Sequence, residues 1–236
     1  MNFDFLLDMV FPRRCPVCDD VLPFGGELIC SGCRERLQYV EEPRCRKCGK
    51  ALYDETGEYC ADCRETAHFF NRAVSAFVYN DAARDAVFRF KYRGRQEYAR
   101  FFAESIWQRL KDDIGSFNAP ALIPVPIHKE RLKKRGYNQA ALLAKELSKL
   151  SGYPVYDKII RRVRNTAPQK NLSRAERMKN MKRAFTISGN VVELTGAVIV
   201  DDIYTTGSTV DEMSKVLKSA GMRDIYVVTV CSGTPL

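Results

Sequence analysis

The chain has 236 residues, 45% of them hydrophobic and 11% aromatic, enough for one good-sized core plus a small appended module and too many for a disordered chain. No stretch reaches the roughly 18 apolar residues of a membrane span, and the start MNFDFLLDMVFPRRC carries Asp4 and Asp8 without a basic leader or cleavage motif, so neither a span nor a signal peptide is expected and the protein should be cytoplasmic. The net charge of +9 is unevenly held: residues 1–70 contain 9 basic and 13 acidic side chains, 128–183 contain 17 and 4, and the rest 12 of each, so 128–183 is expected to surround an anion.

The N-terminal stretch predicts a short amphipathic helix packed on the body. Behind it, eight of the nine cysteines fall at 15 and 18, 30 and 33, 45 and 48, and 60 and 63, a CxxC repeated every fifteen residues. A CxxC turn aims two sulfurs at one point, and two such knuckles complete a tetrahedral thiolate cage. Pro16, Gly32 and Gly49 supply turn chemistry in or beside the knuckles. Disulfides are the rival, but in a reducing compartment this spacing favours metal, so two zinc ions are expected. Sequential pairing joins Cys15, Cys18, Cys30 and Cys33, then Cys45, Cys48, Cys60 and Cys63; an interleaved cross-brace, joining knuckles one with three and two with four, remains open. Four cysteines per ion leave no open coordination position, so the role is structural, and the segment needs its metal to fold. Its slight acidity argues against its being the main nucleic-acid contact. Cys231, in the apolar run DIYVVTVCSG, is a small buried hydrophobe.

From about residue 70 the pattern changes. AVSAFVY (73–79) predicts a strand, ARDAVFRFKYRG (83–94) a helix ending near Gly94, and residues 96–111 a second helix. ALIPVPI (121–127) predicts a short buried strand, and NQAALLAKELSKL (138–150) a helix closed by Gly152. GAVIVDD (196–202) is a continuous apolar strand of the parallel type. STVDEMSKVLKSAG (208–221) follows as a helix with Ser208 or Thr209 near its N-cap, and DIYVVTV (224–230) is one more strand. Alternating strands and helices predict an α/β body over 70–236 with ligands at the carboxyl ends of its strands, behind a module over 1–69.

The run VIVDDIYTTGST (198–209) carries the chemistry. Its strand delivers Asp201 and Asp202 to the sheet edge, and the loop Tyr204–Thr209 opens into a helix N-terminus, where free N–H groups and the helix dipole favour a phosphate monoester. Thr205, Thr206, Ser208 and Thr209 add hydroxyls, and Gly207 lets the backbone approach closely. The two acids are poor phosphate neighbours but good acceptors for vicinal sugar hydroxyls, so the pattern describes a ribose 5-phosphate. No GKS or GKT is present, which excludes a Walker loop.

This run resembles the ribose-phosphate signature of type I phosphoribosyltransferases, which bind phosphoribosyl pyrophosphate (PRPP) and Mg²⁺. With PVPIHKERLKKRGYNQA (124–140), RRVRNTAPQKNLSRAERMKNMKRAF (161–185) and the cysteine ribbons, the whole chain resembles the ComF family, whose members are implicated in natural competence and DNA uptake. The resemblance implies a type I phosphoribosyltransferase fold, a parallel sheet flanked by helices, with an N-terminal zinc-ribbon module. It implies catalytic roles for Asp201 and Asp202 and a pyrophosphate loop at PVP beside His128. It also implies a mobile loop over Arg161–Asn180 with Thr166, Gln169, Leu172, Arg177 and Asn180 in the family's places. Arg131, Lys133 and Arg135 join Asp201, Asp202 and Tyr204–Thr209 as expected PRPP-binding residues. Mg²⁺ and these cations would neutralise the departing pyrophosphate.

One PRPP does not need thirteen net positive charges, so single-stranded DNA is the expected second anion, with Phe90, Tyr92 and Tyr137 available for stacking. His128 is expected to be positional. The family resembles the transferase half of glutamine amidophosphoribosyltransferases, but no cysteine precedes Cys15, so no glutaminase nucleophile is expected. Three functions compete: a DNA-uptake factor that binds PRPP, single strands and uptake or recombination proteins at the inner face of the membrane; an active phosphoribosyltransferase on an unidentified acceptor; and a PRPP-sensing regulator. The first is favoured, because the PRPP site looks intact while no acceptor pocket can be read.

Overall fold

Two cysteine ribbons of the same build open the computed structural model, which describes residues 12–24, 26–54, 57–164, 176, 180–189 and 194–233. In the first, Cys15 N donates to Asp20 O and Asp19 N to Cys15 O, each at 2.8 Å; in the second, Cys45 N donates to Lys50 O and Gly49 N to Cys45 O, again at 2.8 Å. The turns pass through the same left-handed position, Asp19 at φ 68° and Gly49 at φ 69°. Gly49 has a second reason to lack a side chain: a Cβ there would lie 2.4 Å from the Ala73 carbonyl oxygen. Each ribbon ends in one helical turn that starts directly after a cysteine, α1 (Ser31–Arg34) and α2 (Ala61–Glu65).

Beyond the ribbons the elements run β1 (Arg72–Val78), α3 (Asp81–Tyr92), α4 (Tyr98–Ser116), β2 (Leu122–Pro124), α5 (Lys129–Arg135), α6 (Gln139–Ser151), β3 (Ile160–Arg162), β4 (Phe185–Ile187), β5 (Gly196–Tyr204), α7 (Ser208–Ser219) and β6 (Asp224–Ser232). The central sheet has the order β1-β6-β5-β2 and every pairing is parallel. β3 and β4 form a separate antiparallel pair.

The pleat sorts the apolar run of β5 onto two faces. Val198 and Val200 enter one core with Val74, Val228 and the inner residues of α3, α4 and α6. Ala197 and Ile199 enter the other, with Ile123, Val227 and Met213 and Leu217 of α7. A strand buried on both sides has no polar face to show, which is why GAVIV is unbroken.

The ribbons belong to these cores. Cys15, Val17, Leu22, Ile29 and Leu37 of the first ribbon join the α3–α4–α6 side, while Cys45, Cys48 and Cys60 of the second join the α7 side. The connector between them and the first knuckle of the second ribbon cover the sheet edge: Val78 N donates to Gln38 O and Val40 N to Ala76 O, each at 2.9 Å, and Ala73 N donates to Lys47 O at 2.8 Å. An edge strand that would otherwise offer unpaired backbone groups is thereby closed.

The expected α/β body with a parallel sheet and cysteine ribbons is present. Three differences from the expected elements bear on the site. β2 stops at Pro124 within the expected 121–127, where Pro124 and Pro126 bring no N–H to the ladder. β5 continues past the acids, because Ile203 and Tyr204 still pair with Cys231 and Ser232. The helix expected to be capped by Ser208 or Thr209 is entered through Gly207 at φ 79°, with no side-chain cap.

Candidate functional site

Asp201 and Asp202 lie in the last half of β5, both buried. Consecutive strand residues point to opposite faces, and the two acids have different surroundings. Asp202 meets α3 and α6: Lys91 Nζ sits 2.7 Å from its Oδ1, and Gln139 Nε2 donates to its Oδ2 at 2.9 Å. Gln139 in turn accepts from Arg135 on α5. Asp201 accepts the Asp202 backbone N–H at 2.9 Å and forms no ion pair among the described residues.

Electrostatics follow from this asymmetry. Burial, reinforced by the neighbouring Asp202 charge, pushes the Asp201 carboxyl up to about 7 despite Lys91 and Arg162 nearby. Burial opposes the Lys91 ammonium too, but its attraction to Asp202 and the hydrogen bond between them outweigh it and hold its pKa above the ordinary value. Arg162 of β3 is lowered to about 10, by burial and then by repulsion from Arg131.

The loop after β5 turns tightly. Gly207 adopts a left-handed φ of 79°, and a Cβ there would stand 2.6 Å from the Tyr204 hydroxyl and 3.0 Å from His68 Cε1. Thr205, Thr206 and Thr209 are half-buried and Ser208 is buried, with the Thr206 and Ser208 hydroxyls 3.3 Å apart. The first turn of α7 therefore presents hydroxyls and helix N-terminal N–H groups at the carboxyl edge of the sheet. The Tyr204 ring is buried, edge-on to Phe70 with centroids 6.1 Å apart.

A strut from the second ribbon supports the loop from below. His68 Nδ1 lies 2.7 Å from Asp211 Oδ2, and Phe69 N donates to Asp211 Oδ1 at 2.9 Å. Asp211 stands in the first turn of α7, so ribbon, helix and loop are fastened together.

The expected basic residues are spread along α5. Lys133 is exposed, while Arg131 and Arg135 are half-buried. His128 is the N-cap of α5, its Nδ1 accepting from Glu130 N at 3.4 Å, a positional role as expected. Thr166, Gln169, Leu172 and Arg177 lie outside the described residues. Phe90 and Tyr137, expected to be free for stacking, are buried instead: they lie on inward faces, and the Tyr137 hydroxyl donates to the Phe90 carbonyl. Only Tyr92 of that trio is exposed.

Lys91, Gln139, His68 and Asp211 are site residues that sequence reasoning missed. Each is an ordinary helix or loop residue in its local context. The one available signal was Lys91, a charged residue between the apolar Phe90 and Tyr92.

The cysteines form two clusters of four, Cys15, Cys18, Cys30 and Cys33, then Cys45, Cys48, Cys60 and Cys63, with all four sulfurs of each within 4.8 Å of one another. This is the sequential pairing. Sγ separations are 3.6 Å for Cys15–Cys30, 3.9 Å for Cys18–Cys30 and 3.6 Å for Cys48–Cys60. A tetrahedron with Zn–S bonds of about 2.3 Å has edges of roughly 3.8 Å, whereas a disulfide would bring sulfurs to about 2.05 Å. The donor set fits two structural zinc ions.

The double zinc ribbon domain family matches residues 6–64. Over 222 residues the chain is 32% identical to Competence protein F of Haemophilus influenzae, covering 92% of this chain and 96% of that protein. The chain belongs to the ComF family. This ComF chain is also 30% identical over 226 residues to DNA utilization protein YhgH of Salmonella typhimurium, spanning 94% of this chain and 98% of the other. It is 28% identical over 228 residues to Competence protein ComFC of Streptococcus pneumoniae, spanning 90% and 96%. Among the described residues no helix of this ComF chain is long and apolar enough to cross a membrane.

Proposed function

We propose that this ComF chain is a cytoplasmic DNA-uptake protein that binds PRPP with Mg²⁺ on a phosphoribosyltransferase-type body of residues 70–236 and handles single-stranded DNA with its basic surface. One observation carries the ligand assignment. Two buried carboxylates stand near the end of β5, two residues before a loop whose left-handed glycine opens into the N-terminus of α7. The acids accept the ribose hydroxyls, and the Thr205–Thr209 loop takes the 5-phosphate. Lys91 and Gln139 orient Asp202 for that task, while α5 brings Arg131, Lys133 and Arg135 toward the pyrophosphate. Relatives named for competence and DNA utilization support the uptake role.

Calorimetry with PRPP and Mg²⁺ tests the site. The wild type is expected to bind, and Asp201→Asn/Asp202→Asn to bind at least about tenfold more weakly, as expected when charge-assisted hydrogen bonds are lost. Equal affinity in both proteins removes the ribose assignment.

A further inference from the structure

Phe88 and Tyr92 stand one helical turn apart on the outer side of α3, 48% and 62% exposed. Their ring centroids are 5.1 Å apart with planes tilted by 48°. The inward face of α3 is already filled by Ala82, Ala83, Ala86, Val87 and Phe90, so packing does not call for these two rings. Paired aromatic rings left in water mark a surface with a partner.

Their neighbours identify its chemistry. The Arg135 guanidinium lies 5.0 Å from the centre of the Tyr92 ring. Arg93 is exposed beside Tyr92, and α5 exposes Lys133 and Lys134; none of the three makes an ion pair among the described residues. An acidic peptide would satisfy these cations but leave the rings uncovered, and an apolar helix would cover the rings but strand the cations. A single nucleic-acid strand satisfies both, bases on the rings and phosphates on the cations. A duplex cannot, because its base faces are already stacked.

We infer that the α3–α5 surface is a stacking platform for single-stranded nucleic acid, with bases on Phe88 and Tyr92 and the backbone along Arg93 and Lys134. This rests on the DNA-handling reading above and adds where the strand lies. The platform adjoins the acid pair: Tyr92 follows Lys91, which pairs with Asp202, and Arg135 connects the Tyr92 ring to Gln139 and so to the same carboxylate.

Fluorescence anisotropy with the zinc-loaded full chain tests the platform, using a labelled oligothymidylate of about fifteen nucleotides and an abasic strand of equal length. Phe88→Ala/Tyr92→Ala is expected to weaken oligothymidylate binding by on the order of tenfold with an unchanged salt slope, because phosphate contacts remain. The abasic strand is expected to bind both proteins alike. Equal oligothymidylate affinity in the two proteins, or an equal loss on the abasic strand, overturns the platform while leaving DNA binding intact. A wild type that binds neither strand removes the DNA-handling reading itself. Matching circular dichroism melts for the two proteins confirm that replacing exposed rings leaves the fold unchanged.

Discussion

Lys91 on α3 and Asp202 on β5 form a 2.7 Å ion pair in which the carboxylate is almost wholly buried and the ammonium largely so. The pair joins a helix of one core to the strand that carries the candidate ligand site. Removing one partner of a buried pair leaves an uncompensated charge, which destabilises by about 3–5 kcal/mol. Lys91→Met is therefore expected to lower unfolding free energy by about 3 kcal/mol in urea at neutral pH. Lys91→Met/Asp202→Asn should recover part of that loss, since the orphaned charge is gone. A double variant as unstable as the sum of the two singles would show that the residues do not interact.

Asp201 makes the site pH-sensitive. Its carboxyl ionises near pH 7 in the folded chain and near 3.9 when unfolded. Between those values the folded state holds a proton that the unfolded state has released, so this group's contribution to stability falls as pH rises from about 4 to 7. Asp201→Asn removes that penalty. The variant is expected to be more stable than wild type at pH 8, with the difference shrinking as pH drops toward 4, as read from thermal melts. A difference that stays constant with pH would contradict the raised carboxyl. If the proposed PRPP site uses Asp201 as an ionised hydroxyl acceptor, PRPP affinity measured by calorimetry should fall as pH drops below about 7.

The ribbons and the body are predicted to melt together. Cys45, Cys48 and Cys60 pack in the core that also holds Phe70, Tyr204 and Met213, and Cys15 and Cys33 pack with Phe77, Phe90 and Tyr98. Metal analysis should find close to two zinc ions per chain, as the two four-cysteine clusters require. Chelation should lower the Tm of the entire chain in a single transition. Two separate calorimetric transitions, with the second unmoved by chelator, would describe ribbons that fold apart from the body.

What the sequence made legible was contiguous. VIVDDIYTTGST places strand, acids, loop and helix start within twelve consecutive residues, and the CxxC repeat carries its own spacing. The partners of those residues come from far along the chain. Gln139 reaches Asp202 across 63 positions and His68 reaches Asp211 across 143. Neither contact leaves a periodic trace. β3 and β4 have three residues each, too short for an alternation to show. α5 was hidden by composition, because KERLKKR has one apolar residue and no amphipathic pattern. The fate of the aromatics was set by packing: Phe88, Phe90 and Tyr92 share one helix, and only its rotation against Phe102 and Tyr137 decides which ring is buried.

Gly207 offers the sharpest single-site test of the loop. Its φ of 79° lies in the left-handed region, where a side chain is strained, and a Cβ would meet the Tyr204 hydroxyl at 2.6 Å and His68 Cε1 at 3.0 Å. Tyr204 cannot retreat easily, because its ring is packed in the core against Phe70. His68 is held by Asp211. Gly207→Ala is therefore expected to destabilise by about 1–3 kcal/mol and to shift the start of α7, moving the Ser208 and Thr209 N–H groups away from the phosphate position. Calorimetry should show weaker binding of PRPP in Gly207→Ala, whereas an oligonucleotide on α3 should bind as in wild type. Gly207→Ala/Tyr204→Phe removes the hydroxyl that the new methyl meets and should regain part of the stability, leaving the strain of the left-handed backbone. No regain would place the whole penalty in the backbone and none in the contact with Tyr204.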